Sequence, residues 1–381
     1  MDGTEAAVDL KRRNRAGDGE RPVMVVSPVF RRPAFGSHHP LSIPRVETVY
    51  DLSRCLGWFG DDVVATCEPA PMTEILRFHS EPFVRALERA EQRHVVSAED
   101  RSTFAIGTME NPWFAGLLER ARTAVGGSML AAKLAAAGRT AFHPSGGTHH
   151  GRPDRASGFC YFNDPVFAVL ALLDEGIGRV AYVDIDAHHG DGVEAAFLHD
   201  DRVMTASIHE AGRWPYTGVA DQADRHVVNI PAPKQCNDSE FKYLLAQRLY
   251  PALAAFRPEA VVVTCGTDPL AGDPLSSMQL SNVCLWDCVQ HLQQFCRPCV
   301  VLGGGGYNPW TLARCWTGLW GRLLGADLPD RLPETAVKIL SALDCDLIDD
   351  DEIAPEWLNS VADEPRSGPV RDGLLSLDQS V

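Results

Sequence analysis

The chain has 381 residues, 45% of them hydrophobic and 23% charged, which is ordinary for a protein with a sizeable core. A formal net charge of −16 repels phosphate backbones, so direct nucleic-acid binding is not expected, whereas a cationic substrate such as a polyamine or a lysine-rich peptide would be attracted. The longest apolar run, 165–173, is far short of a membrane span, and the polar start from Met1 to Arg21 has no apolar stretch; a cytoplasmic protein without membrane contact, its eleven cysteines reduced, is the expectation.

In chain order, residues 1–20 are polar and carry Lys11-Arg12-Arg13-Asn14-Arg15. They read as a disordered tail in preference to a basic localisation signal. Short β-branched runs predict strands over 23–26, 140–142, 180–184, 203–208, 260–265 and 299–302. Helical patterns cover 112–137, 165–175, 239–256, 279–296 and 309–324, with Asn111-Pro112 and Asn308-Pro309 as starts in which Asn caps and Pro opens the first turn. This alternation predicts a parallel sheet with helices on both faces, its chemistry beyond the carboxyl ends of the strands. One catalytic domain over 21–330 is expected, and 331–381, with its acidic run from Asp349 to Glu352, reads as a partly disordered extension. Oligomeric state is left open.

The chemistry concentrates where strands end. The run over 180–184 is apolar on both faces, as a buried parallel strand should be, and then places Asp184, Asp186 and His188 at alternate positions. A core strand has no structural use for two carboxylates and an imidazole, because burying unpaired charge is costly. A divalent cation resolves that cost, and an Asp/His ligand mixture suits Zn2+, with Fe2+ as the alternative. Asp268, directly after the apolar run over 260–265, supplies a third ligand from a second strand end. Two Asp and one His leave a coordination position for water, the arrangement of a catalytic site.

Pro144-Ser-Gly-Gly-Thr-His-His150 follows another strand. Adjacent histidines after a glycine turn are poorly explained by packing; they read as proton-transfer groups beside metal-bound water, with Asp184 and Asp191 available to orient them. The run at 302–307 ends in Tyr307 on a glycine loop. It lacks the Lys-Ser/Thr of a phosphate loop, and beside a metal and a His pair its phenol reads as a donor to a developing oxyanion. Cys296-Arg-Pro-Cys299, with Cys284 and Cys288 one turn apart upstream, reads as buried thiols in preference to a structural zinc or redox site.

Together, Gly146-Gly-Thr-His-His150, Ser157-Gly-Phe-Cys-Tyr-Phe-Asn-Asp164, Tyr182-Val-Asp-Ile-Asp-Ala-His-His-Gly-Asp-Gly192, Cys265-Gly-Thr-Asp268 and Leu302-Gly-Gly-Gly-Gly-Tyr307 resemble the histone deacetylase superfamily, in particular its acetoin-utilisation and acetylpolyamine-amidohydrolase-like members. The resemblance covers roughly residues 22–325. It implies a three-layer α/β/α, arginase-like fold around an eight-stranded, mostly parallel sheet, and an amidohydrolase that removes acetyl or another acyl group from acyl-lysine or an acetylpolyamine. By matching motif, Asp186, His188 and Asp268 would bind zinc, and His150 would act as base and then acid, with His149 its electrostatic partner. Asp191 and Asp184 would orient His150 and His149 respectively, and Tyr307 would polarise the amide carbonyl. The resemblance also implies K+ near Asp184, Asp186, His188, Ser207 and Ile208, and a substrate channel lined by Gly158, Phe159, Trp214 and Leu275. Three places depart from the pattern. Gly266-Thr267-Asp268 stands where the family often has Gly-Ala-Asp, with the ligand itself kept. The Phe-Phe-Pro-Gly-Thr-Gly loop reads Arg213-Trp-Pro-Tyr-Thr-Gly218, and the rim loop aligns poorly, with Glu99 and Asp100 the nearby acids.

Overall fold

A computed structural model describes residues 21–220, 222–223 and 226–375; the tail expected over 1–20 and the last residues, 376–381, lie outside it. Nine short strands make one sheet: β1 (Val23–Val26), β2 (Val64–Thr66), β3 (Ala141–His143), β4 (Val180–Asp184), β5 (Val203–Glu210), β6 (Gln222–Ala223), β7 (Val227–Ala232), β8 (Ala260–Thr264) and β9 (Cys299–Leu302). Their order is β2-β1-β3-β9-β8-β4-β5-β7-β6. Eight run parallel, and only the edge strand β6 is antiparallel to its neighbour.

Every residue of β4, β8 and β9 is buried, which explains why these runs are apolar without alternation. Successive side chains still divide between the faces. Ala181, Val183, Val261 and Val263 join one core with the helices Asn282–Phe295 and Pro309–Leu324. Val180, Tyr182, Ala260 and Val262 join the other with Leu117–Ala136 and Asp164–Asp174. The result is the three-layer fold expected.

Parallel pairing lines up the carboxyl ends. Asp184 pairs with Ser207 on one side and Thr264 on the other, and Thr264 with Leu302. The loops that follow β3, β4, β8 and β9 therefore leave the sheet together.

Asn308 caps its helix as expected, accepting from the amides of Trp310 and Thr311. Asn111 does not. The helix expected from 112 begins at Leu117 after Gly116 in a left-handed conformation (φ 81°), and the Asn111 side chain instead accepts from the Phe159 amide at 2.9 Å. The helix expected over 239–256 is divided into Asp238–Leu244 and Tyr250–Phe256 by a π turn, Leu245–Leu249. Pro251, which lacks a donor, lies just past that turn. β2, β6, β7 and the helices Val46–Cys55 and Glu81–Arg93 were not predicted. Beyond 330, Leu332, Ala336, Leu340, Trp357 and Val361 pack into the larger core. No helix among the described residues is long and apolar enough to cross a membrane.

Candidate active site

Asp184 closes β4, and the chain then turns on its own carboxylates. Asp184 Oδ1 accepts the Asp186 amide at 3.1 Å, and Asp186 Oδ1 accepts the His188 amide at 2.9 Å. Asp268, from the loop after β8, accepts the Ala187 amide at 2.9 Å and faces His188 Nδ1 with its other oxygen at 2.8 Å. Asp186, His188 and Asp268, all buried, offer ligand atoms within 4.8 Å of one another, the metal-capable group found among the described residues. Asp184 shares their side of the strand end but turns to His149 instead.

The electrostatics of the triad call for a cation. Burial first, and then the neighbouring Asp186, lift the Asp268 carboxyl to about 6. Burial opposes charge on His188, yet hydrogen bonds to Asp186 and Asp268 outweigh it and raise the imidazole to about 10. Two buried carboxylates thus hold a proton on the imidazole between them, the place a divalent ion would take, and an O,O,N donor set suits zinc or iron(II).

The glycine run after β9 is explained by proximity. The Gly305 amide donates to Asp186 Oδ2 at 2.6 Å. A Cβ on Gly305 would come within 2.3 Å of Asp268 Oδ2, and one on Gly266 within 2.1 Å of Asp186 Oδ2. Side chains at either position would displace the ligands.

His149 and His150 stand beside the triad with ring centroids 3.9 Å apart. Each Nδ1 has its own carboxylate: Asp184 Oδ2 at 2.7 Å from His149 and Asp191 Oδ1 at 2.7 Å from His150. Asp191 also receives Arg152. Burial works against charge on His149, but Asp184 and Asp186 prevail and raise it to about 9. Burial, then the charge of His149, push His150 down to about 3. The pair therefore divides into a protonated His149 and a neutral His150, whose Nδ1 contact to Asp191 leaves Nε2 as the acceptor.

Two buried residues of the 157–164 motif hold the loop that carries this pair. Asp164 accepts the amides of Gly147 (3.0 Å) and Thr148 (2.8 Å), and the Asn163 side-chain amide donates to the carbonyls of His149 (3.1 Å) and Gly151 (2.9 Å).

An opening of about 560 Å³ leads to the site, lined by His150, His188 and Tyr307 at its base and by Gly158, Phe159, Trp214 and Leu275, the four channel residues expected. Trp214 lies edge-on to His150 at 4.6 Å and Phe159 to Tyr307 at 6.0 Å. A Cβ on Gly158 would sit 2.4 Å from Trp214, so glycine is required to narrow the walls there. The Tyr307 amide donates to buried Asp273 at 2.7 Å, and burial raises the phenol well above its ordinary range, keeping it a donor. Ser207 and Ile208 lie on β5 beside Asp184, where Ser207 Oγ is 2.9 Å from His209 Nδ1. A second cavity, of about 170 Å³, is lined by His149, His150 and half-buried Arg45, which donates to the Gly304 carbonyl at 2.5 Å.

The acids near the poorly aligned rim loop do not serve the opening. Asp100 is buried against Arg89, and neither it nor Glu99 lines the opening. Glu110 does, and its Oε1 accepts the Gly158 amide at 2.9 Å. Reading Asn111-Pro112 as a helix start concealed it. Tyr182 also went unassigned, although it donates to Asp184 Oδ2 at 2.6 Å.

This fold and this site define an α/β/α protein with a candidate metal centre at its strand ends, and the chain belongs to the histone deacetylase family: residues 39–323 match the histone deacetylase domain. It is 37% identical to histone deacetylase 1 of Oryza sativa subsp. japonica over 310 residues, covering 78% of this chain and 59% of that protein. Against histone deacetylase 8 of Xenopus tropicalis it is 32% identical over 299 residues, covering 76% and 80%. The chain thus spans about three fifths of the length of the rice relative. A crystal structure of an HDAC homolog from Aquifex aeolicus superposes with a TM-score of 0.88 at 32% identity, covering 94% of this chain and 99% of that one. An HDAC homolog complexed with SAHA superposes equally well, at 31% identity.

Proposed function

We propose that this protein is a zinc-dependent deacylase that removes acetyl or another acyl group from an acylated amine, acyl-lysine or an acetylpolyamine. What supports this most is that His150, His188 and Tyr307 line the base of one opening. Asp186, His188 and Asp268 would hold the ion, which when bound supplies an acidified water and a Lewis-acid pull on the acyl carbonyl. His150, neutral and oriented by Asp191, takes the proton of the attacking water and returns it to the departing amine. His149, kept protonated by Asp184, holds positive charge next to that transfer. Tyr307 donates its hydroxyl to the carbonyl oxygen as negative charge develops there. Phe159 and Trp214 give apolar walls for an aliphatic stem and exclude water.

K+ would sit near Asp184, Asp186, His188, Ser207 and Ile208, held partly through main-chain oxygens. The catalytic domain would comprise residues 21–330, with 331–381 an extension whose Leu332, Ala336, Leu340, Trp357 and Val361 complete its larger core. Eleven free cysteines, ten of them buried, fit a reducing, cytoplasmic setting.

The test is turnover of zinc-loaded protein on acetyl-lysine peptides, acetylputrescine and longer acyl-lysines. Hydrolysis of one class above the others names the substrate; absence of hydrolysis of all three overturns the reading.

A further inference from the structure

The loop after β5 holds a residue that neither packing nor backbone preference explains. Arg213 anchors it: the guanidinium pairs with buried Glu210 through Nε at 2.7 Å and also donates to the Leu275 carbonyl at 2.7 Å. Glu210 is in turn held by the amide and hydroxyl of Ser277 at 2.8 and 2.7 Å. Trp214, next along, is pressed against His150. Tyr216 then closes a turn, its amide donating to the Arg213 carbonyl at 2.8 Å.

Tyr216 adopts φ 64°, the left-handed region that costs any residue with a Cβ and suits glycine. Its side chain is 68% exposed, so it gains little from burial. Backbone strain without compensating packing marks a position whose value lies in function. Tyr216 also lines the opening to the site, in the same turn as the channel wall Trp214. Charged Glu110 and Lys234 share that opening, but charged side chains in water are unremarkable. An exposed aromatic ring on a strained, well-anchored turn is not.

We propose that Tyr216 is a specificity-determining residue: its ring is a platform that receives the side chain next to the acylated lysine of a peptide, favouring an aromatic neighbour. The inference rests on the deacylase reading above and deepens it towards peptide substrates. A tyrosine ring offers a large contact area for few rotatable bonds, the reason such residues recur in recognition surfaces. At the same opening Arg213 is paired with Glu210, and Glu110 offsets Lys234, so no net charge there draws the ammonium of a polyamine, and the exposed ring is the feature left to select a neighbouring side chain.

The experiment measures kcat/KM of the zinc-loaded enzyme on pairs of acetyl-lysine peptides that differ only in Phe or Ala on either side of the acetyl-lysine. Wild type should prefer Phe on one side by roughly 3- to 10-fold, the range of an aromatic pair, with the difference in KM. Tyr216→Gly, which suits the left-handed backbone, should bring that ratio close to unity, and Tyr216→Phe should keep it. If the ratio is the same in wild type and Tyr216→Gly, or if wild type shows no preference, the assignment falls while the deacylase reading stands. If wild type hydrolyses no acyl amine at all, both fall.

Discussion

Tyr182 donates its hydroxyl to Asp184 Oδ2 at 2.6 Å, the same oxygen that lies 2.7 Å from His149 Nδ1. One carboxylate oxygen thus links the interior of β4 to the histidine pair. Tyr182→Phe removes a buried hydrogen bond to a charged acceptor, and a loss of about 1.5–3 kcal/mol is expected. The urea midpoint should fall with the slope unchanged, and turnover should drop severalfold as Asp184 is held less firmly against His149. An unchanged midpoint would mean that the hydroxyl carries no weight.

His150→Ala and Tyr307→Phe remove the proposed base and the proposed oxyanion donor. Each should lower kcat by about 100-fold or more, the order known for one lost group of this kind. Asn163→Asp, which takes the amide donor from the His149 and Gly151 carbonyls, should act on kcat more than on KM. Near wild-type turnover of His150→Ala would remove it from the chemistry.

The metal triad predicts a stability effect separate from catalysis. Two buried carboxylates share one imidazole there, so stripping the ion should lower the melting temperature, and added zinc should restore it in a concentration-dependent way. In Asp268→Asn the zinc content of purified protein should fall towards zero. A stoichiometric zinc content in that variant would place the ion elsewhere.

His79 predicts an acid dependence. Burial pushes this imidazole to about 3 despite its contact with the Arg152 carbonyl, and Nε2 accepts the Asn163 amide at 3.1 Å, so the folded state keeps it neutral. The unfolded chain protonates it below about 6.5. Its contribution is therefore full above that pH and is lost as the pH falls towards 3, by about 1.4 kcal/mol per unit. His79→Phe should be less stable than wild type at pH 7, but the gap should narrow between pH 6.5 and 4.5. A constant gap in urea denaturation across that range would contradict this origin.

Of the eleven cysteines only Cys55 is exposed. Burial raises Cys296 to about 11 and Cys299 to about 12, so the pair at 296–299 is protonated and inert at neutral pH. Native alkylation should therefore label one thiol per chain quickly and the remaining ten only on unfolding. Rapid modification of Cys296 or Cys299 would revive a redox role.

The sequence exposed those residues whose chemistry is out of place locally. Asp186, His188 and Asp268 end apolar strands, His149 and His150 follow a glycine turn, and Tyr307 closes a glycine run, so each stands out without knowledge of its partners. Residues that matter through distant partners were silent. Tyr182 reads as one more buried aromatic until Asp184 and His149 meet it, and Arg45 reaches the Gly304 carbonyl 259 positions away. Glu110 was hidden by a local signal that pointed elsewhere, since Asn111 serves the Phe159 backbone and not a helix. β2 and β6, of three and two residues, are too short for periodicity to register.

Those two strands are also the borders of the sheet. An unpaired border is a template on which a foreign strand can add, and its reach scales with its length and regularity. Here the wholly buried strands β4, β5 and β8 are flanked on both sides, and what faces outward is a three-residue strip on one side and a reversed two-residue strip on the other. The segments most prone to aggregate are thus the ones sealed deepest, and colloidal stability at high concentration should depend on the integrity of two very short strands.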